Sequence, residues 1–419
     1  MSVLISTRVL PSLQDFPVNP YIGQTFVHNP GGRSIQYEWD GTNWQPTLGY
    51  GDITTYVDPA GTDDLDHGFA IGADAFLTIQ FAWDMLPPIV RGGSIDINLS
   101  DDVFTENLTI TQQPVLSQGE HLYINGAAMT VDAALVATGG VQGAGAVPPN
   151  VLGVFVVGVY DNLLIRFTSG ANNGEIRVIG QTTITNLYLV GAALPAAPVN
   201  LDTYDILSWS TTIDGYIHVR GCYHNNDAGQ MNFVSIAITY NVSLPAAYGT
   251  VYANQSSVGF AYCDIVNNGS TAAVHSDVNN YLNCWRCVIR ITGAAWQAGA
   301  WAEWRSQIDL LQCRVVGTDV VNHIGFLVQM HSGGALDNCE VTGCIHGAQI
   351  ETNSVLNTFS LTTITSFIHG NGRGVQVVNH SMACFTVVSV TYGVLLDGNA
   401  DINTVADTSA EAASFSWLN

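Results

Sequence analysis

Hydrophobic and polar positions alternate at a period of two along much of the chain, in short runs rich in Val, Ile and Thr and punctuated by Gly and Asn. That is the pattern of short strands and turns; helices would place apolar residues three and four apart. Between Tyr262 and Asn399 the runs repeat. Cys263-Asp-Ile265, Cys287-Val-Ile289, Cys313-Arg-Val315 and Cys339-Glu-Val341 each give a cysteine, any residue, then a β-branched one, at near-equal steps along the chain. Thr362 takes the cysteine's place in the next copy, where Ile364-Thr-Ser-Phe-Ile-His-Gly370 matches Val341-Thr-Gly-Cys-Ile-His-Gly347. A second phrase recurs at similar steps: Gly325-Phe-Leu-Val328, Gly347-Ala-Gln-Ile350, Gly374-Val-Gln-Val377 and Gly393-Val-Leu-Leu396.

Repeats of this length indicate a solenoid. The expected fold is all-β, a right-handed parallel β-helix in which each copy forms one coil and equivalent residues stack about 4.8 Å apart. The four cysteines become an inward ladder, reduced rather than bridged. The residue after each ladder position then faces outward, giving the column Asp264, Val288, Arg314, Glu340, Thr363, with Arg314 and Glu340 expected as an exposed ion pair on adjacent coils.

The chain divides into four parts. Residues 1–50 form a small β module, with Gln24–His28 and Ser34–Trp39 as a hairpin and a second turn at Asp40-Gly41. Residues 51–110 start the helix: apolar Phe76, Ile79, Ala82, Trp83 and Leu86 predict an amphipathic helix from Ala73 to Leu86, stopped by Pro87-Pro88 and covering the open end of the first coil. Residues 111–399 carry the coils, with Val136–Asn150 as a Gly, Ala and Pro-rich loop and an all-β insertion at about 167–209. Residues 400–419 are a short acidic tail.

All 11 basic residues are Arg, against 34 acids, for a net charge of −23. Nucleic acid is excluded as a partner, since neutralising phosphates takes clustered cations. Anionic glycans are repelled too, unless an Arg cluster or bound cations intervene. Met1–Arg8 lacks the charged start and long apolar core of a signal peptide. The longest apolar run, Val151–Val159, is too short to span a bilayer.

Two stretches carry a family likeness. Tyr37-Glu-Trp-Asp-Gly-Thr-Asn-Trp44 resembles a small β module found near the ends of bacteriophage tail and fibre proteins. Tyr56-Val-Asp-Pro-Ala-Gly61, the acids Asp63, Asp64 and Asp66, Phe76-Leu-Thr-Ile-Gln-Phe-Ala82, Ser94–Leu99 and Val103-Phe-Thr-Glu-Asn-Leu-Thr-Ile110 look like the start of the pectin-lyase-like right-handed β-helix of phage tailspikes. The resemblance implies a virion protein, homotrimeric, attached to other tail or baseplate proteins through its N-terminal module and meeting host surface glycan with the outer face of the coils.

The candidate chemistry is sparse. Trp285, Trp296, Trp301 and Trp304, with Glu303 and Asp309, make a candidate glycan-binding platform, aromatic rings stacking on the apolar faces of sugars. The fifth residue of the glycine phrase gives the column Gln329, Glu351, Val378, Asp397. Glu351 and Asp397 would stand two coils apart, a candidate carboxylate pair for glycoside hydrolysis. His346 and His369 occupy equal places in their coils and serve the turn backbone. No cofactor is expected: Asp63, Asp64 and Asp66 offer calcium oxygen donors without the regular spacing of a ligand loop, and Cys284-Trp-Arg-Cys287 lacks a second zinc-binding pair. Three functions follow: host-glycan recognition first, glycan depolymerisation on the same fold second, and a non-binding structural part of the virion third.

Overall fold

The computed structural model describes residues 16–28, 34–111, 114–116, 120–143, 148–222, 231–240, 249–269, 271–358, 366–369, 373–378, 382–385, 388–390, 394–397 and 401–404, with side chains to Asn357 apart from 319–321. Thr362, Thr363 and Ile364 of the expected fifth ladder copy and the N-terminal Met1–Arg8 lie outside these residues.

Parallel strands stacked coil on coil form the body. One 11-stranded sheet runs from Ile53–Val57 through Leu282 and Ile308 to Asp401–Thr404, one strand past the expected end of the coils. Its inward residues pile up in register: Ile53 on Ile95, Leu122, Met231, Val258, Leu282 and Ile308, all buried. A 16-stranded sheet holds two further stacks. They merge in the long strands Arg314–Val328 and Glu340–Ile350, which bend between Val316 and Ile324 and belong to both. Ile265, Ile289, Val315 and Val341 lie on one another, fully buried.

The cysteine ladder forms as four free thiols. Each cysteine's amide donates to the next sulfur at 3.4 Å, from Cys263 to Cys287, Cys287 to Cys313 and Cys313 to Cys339. Each thiol in turn donates to a carbonyl of the preceding coil, as Cys313 does to Cys284 at 3.2 Å. Tyr262, Arg286, Gln312 and Asn338, immediately before them, all have φ between +52° and +54°. Thus the ladder sits at a left-handed corner repeated every coil, where a compact thiol satisfies groups that the corner removes from the sheet.

Beyond Val341 the register departs from the sequence reading. Glu340–Thr342 pairs with Phe367–His369 and His346–Ile350 with Arg373–Val377, so one constant offset holds along the whole strand. The shorter step of the cysteine phrase, Cys339 to Thr362, would need a bulge within Glu340–Ile350. A continuous ladder avoids it, so His346 is level with Arg373 and not with His369.

The helix is also shorter than expected. It spans Ile79–Asp84, with Thr78 as N-cap. Asp63 accepts from Leu77 N, Thr78 N and Thr78 Oγ, and Glu106 accepts from Ile79 N and Gln80 N at 2.8 and 3.1 Å. These carboxylates fix where the helix starts, and Phe76 instead bridges Val57. Burial raises the Glu106 carboxyl against the opposing amide bonds. Asp64 accepts from Asp66 N and pairs with His67, so Asp63 and Asp64 both serve as hydrogen-bond acceptors within this turn.

The insertion is larger than the sequence indicates. A closed six-stranded barrel runs from Thr130 to Ser208, and Val136–Val141 of the expected loop is the second half of its 12-residue strand Thr130–Val141. Leu122–Asn125 pairs directly with Met231–Val234, so the stack continues across the interruption. The barrel docks on the column Val288, Arg314, Glu340. Leu164, Val178, Val190 and Leu207 pack on Val288, and Trp209 Nε1 donates to Tyr262 O at 2.5 Å. Arg314 donates to Glu340 at 2.9 Å and to Asn162 of the barrel at 2.5 Å. The expected ion pair therefore exists but is buried, because the barrel covers it.

At the N-terminus, Thr25–His28, Ser34–Trp39 and Trp44–Tyr50 form an antiparallel sheet, extended by Val90–Arg91 from the first coils. Ile35, Tyr37 and Trp44 share the solenoid's hydrophobic core. Among the described residues no helix is long and apolar enough to cross a membrane.

Asp337, half-buried at the Cys339 corner, accepts from Asn338 Nδ2 at 2.6 Å, and desolvation raises its carboxyl to about 6. A carboxyl raised in the folded state adds stability that is full below the unfolded pKa, near 4, and is lost as pH rises through about 6. Asp337→Asn should therefore match wild type at pH 3.5 and exceed it at pH 8, by about 1–2 °C in Tm. Thermal unfolding at both pH values checks this; a pH-independent difference would contradict it.

Candidate functional site

On the outer face of the second stack, a groove of about 510 Å³ is lined by Trp296, Trp301, Ile324, Leu327, Gln329, Ile345, His346, Gln349 and Glu351. Strand pairing builds it. Trp301, Leu327 and Gln349 stack as one outward column, and Ala298, Ile324 and His346 as the next. Where the strands end, Glu303, Gln329 and Glu351 follow Ala302, Val328 and Ile350, which are in register. The floor is thus apolar and one wall is a row of carboxylates and amides.

Trp296 and Trp301 form an aromatic corner, ring centroids 5.8 Å apart and planes at 86°. Trp301 is held from behind by His275, stacked at 4.4 Å with planes 6° apart. His275 Nε2 is 2.9 Å from Glu303 Oε1, and Gln329 Nε2 donates to Glu303 Oε2 at 3.1 Å. Both Glu303 oxygens are therefore engaged. Glu351 Oε1 accepts from Gln349 Nε2, whereas Oε2 has no hydrogen-bond partner among the described residues. The same column continues above the groove through Tyr252 and His218. Burial first, with Arg220 adding, lowers His218 to about 4, so it is neutral at neutral pH.

The structure divides the candidate platform. Trp296 and Trp301 line the groove with Glu351, and Glu303 stands beside that lining, bonded to Gln329. Trp304 is exposed at a left-handed corner with φ +53° and does not line the groove. Trp285 and Asp309 lie on the 11-stranded sheet instead. Trp285 packs at 5.0 Å on Tyr262 and 4.6 Å from the Arg286 guanidinium. Asp309 accepts from Tyr281 OH at 3.0 Å, and burial together with that carboxylate pushes Tyr281 up to about 12. Asp397 follows Leu396, two coils beyond Ile350 in register; its side chain lies outside those described.

Sequence reading misses Gln349, Leu327 and Ile345, and the link between Glu303 and Glu351. The signal is present. Gly299-Ala-Trp-Ala302 is an earlier copy of the glycine phrase, paired residue for residue with Gly325–Val328 at Ala300, Trp301 and Ala302. Starting the phrase there places Trp301 over Leu327 and Glu303 over Gln329. A second buried ladder, Asn280, Ser306, Ser332 and Ser354, follows corner residues of positive φ and is legible from its near-regular steps.

Fold and site together define a parallel β-solenoid with a lateral barrel and one aromatic, acid-edged groove on its outer face. No family model matches the chain, and no curated protein matches it. Among solved structures it is similar to a tailspike of Acinetobacter baumannii bacteriophage AP22 in complex with A. baumannii capsular saccharide, at 8% identity over 75% of this chain and 71% of that one, TM-score 0.18. It is also similar to a tailspike protein from Pseudomonas phage LKA1, at 11% identity over 86% and 73%, TM-score 0.15.

Proposed function

We propose that the protein is a tailspike-type virion component that holds host-surface glycan in the groove between Trp296 and Glu351. The aromatic corner carries this reading. A sugar laid on Trp296, the exposed ring of the corner that Trp301 supports, buries its apolar ring face there and turns its hydroxyls toward Gln329, Gln349 and Glu351, the division of labour that small concave sites use. The motifs at Tyr37–Trp44 and Tyr56–Ile110, which resemble phage tail modules, support a place on the virion, with the N-terminal sheet as the attachment point and three chains per spike. The stacked coils keep the site rigid.

The test is binding of the purified full chain to a panel of bacterial surface polysaccharides. Wild type should bind at least one, and Trp296→Ala should weaken it about 10- to 30-fold, the loss typical of a stacked aromatic anchor. Trp296→Phe should retain most of the affinity, which separates stacking from misfolding. Binding to none of the panel, or equal binding by Trp296→Ala, would overturn the reading.

Hydrolysis of the bound glycan is a second reading, favoured by register: Glu351 and Asp397 stand roughly 9–10 Å apart by strand spacing, close to the ~6.5–9.5 Å of an inverting pair. Reducing ends released by wild type would mark it, and their absence would leave binding alone.

A further inference from the structure

We infer that the groove selects glycans carrying a protonated amine, such as de-N-acetylated hexosamines, over uronic acids. This rests on the glycan-binding reading above and concerns which sugar that site takes. Three observations on the groove converge. First, its described lining includes a carboxylate, Glu351, and no arginine; Arg373 stands level with His346 on the next rung, its side chain outside those described. Second, Glu351 Oε2 has no hydrogen-bond partner among the described residues, while Oε1 is fixed by Gln349. Glu303, two wall positions away, has both oxygens committed to His275 and Gln329. One carboxylate oxygen is thus oriented and available, while the other acid keeps the wall negative without competing for the ligand.

Third, Trp296 and Trp301 stand perpendicular at 5.8 Å. That is an edge-to-face pair, and it leaves the exposed Trp296 indole at the rim, whose ring quadrupole attracts a cation more strongly where water is excluded. The floor beside them, Ile324, Leu327 and Ile345, provides that exclusion. A hexosamine stacked on Trp296 can direct its ammonium at Glu351 while its ring face stays on the indole. A uronate in the same pose brings its carboxylate against the Glu303 and Glu351 wall of a chain with net charge −23. Like charges at such separations repel, most in a low-dielectric cleft.

Isothermal titration of the full chain against chitosan oligosaccharide, the N-acetylated chitooligosaccharide of the same length, and oligogalacturonate tests this. The amine form should bind at least 10-fold tighter than the N-acetyl form, and oligogalacturonate weakest. Glu351→Gln should remove most of the amine preference, weakening amine binding at least fivefold more than N-acetyl binding. Asp101→Asn, an exposed acid far along the chain with the same change of net charge, should leave the preference intact, which separates the groove from general attraction of a cation to an acidic protein. A preference unchanged in Glu351→Gln, or abolished equally by Asp101→Asn, would overturn the inference. So would uronate binding as tight as amine binding. If none of the three oligosaccharides binds but a surface polysaccharide does, amine selection fails while the glycan reading stands; if nothing binds, both fail.

Discussion

Arg314→Met is expected to loosen the barrel from the solenoid, at a cost of about 3–5 kcal/mol. The Arg314 and Glu340 side chains are about one-tenth exposed, joined at 2.9 Å, with Asn162 of the barrel completing the guanidinium's contacts. Removing the arginine takes the guanidinium away from a carboxylate that the barrel leaves only about one-tenth exposed, and an uncompensated charge so shielded costs far more than a surface pair contributes. The interface has modest apolar support, chiefly Val288 against Leu164, Val178, Val190 and Leu207. The local opening of the barrel should therefore become cheaper before the solenoid is affected. Hydrogen exchange at Leu164–Phe167 and Ile176–Thr182 reads that opening. Arg314→Met with Glu340→Leu should recover most of the loss, since an apolar pair of similar volume is tolerated where a lone charge is not. Exchange unchanged in the single variant would show that water reaches the pair.

The same column shows how much the sequence could say. The cysteine phrase gives its first four members and their order correctly, because strand pairing at a near-constant offset is a local rule that repeats; beyond Glu340 the partner is Phe367 and not Thr363. Its exposure is misread, because what covers it is a barrel whose first strand, Thr130–Val141, lies far earlier in the chain. That strand is illegible for its own reason. Thr130–Val141 is mostly Thr, Ala, Gly and Val, and Gly140 is small because Asn150 O and Pro198 press against it; such composition reads as a loop until the partner strands are known. Likewise the helix pattern from Phe76 to Leu86 is real, yet Asp63 and Glu106 decide the first turn from 15 residues before and 26 residues after it. At the site, Trp301 and Glu351 are each visible as chemistry. Their meeting requires the register of Gly299, which carries the phrase in a different dress.

The glycines of that phrase are the second place where a large effect is expected. A Cβ on Gly325 would fall on Val341 Cγ1 and lie 2.5 Å from Gly347 O. On Gly299 it would meet Val315 Cγ1 at 2.5 Å and Gly325 O at 2.6 Å. The stack of glycines thus lets the bent strands Arg314–Val328 and Glu340–Ile350 fold tightly around the core valines, and the groove residues Ile324 and Leu327 flank that bend. Gly325→Ala should cost about 3 kcal/mol, the upper end of overpacking, and weaken glycan binding as the floor shifts. Val341→Ala in the same chain removes one obstruction and leaves the other, a backbone carbonyl that has nowhere to move without breaking a rung. The double variant should therefore recover less than half of what Gly325→Ala loses, measured against Val341→Ala alone in a mutant cycle. Full recovery would place the constraint in the valine and acquit the carbonyl. A Gly325→Ala protein as stable as wild type, to within the scatter of about 0.5 kcal/mol seen for surface substitutions, would mean the coils have slack at this corner.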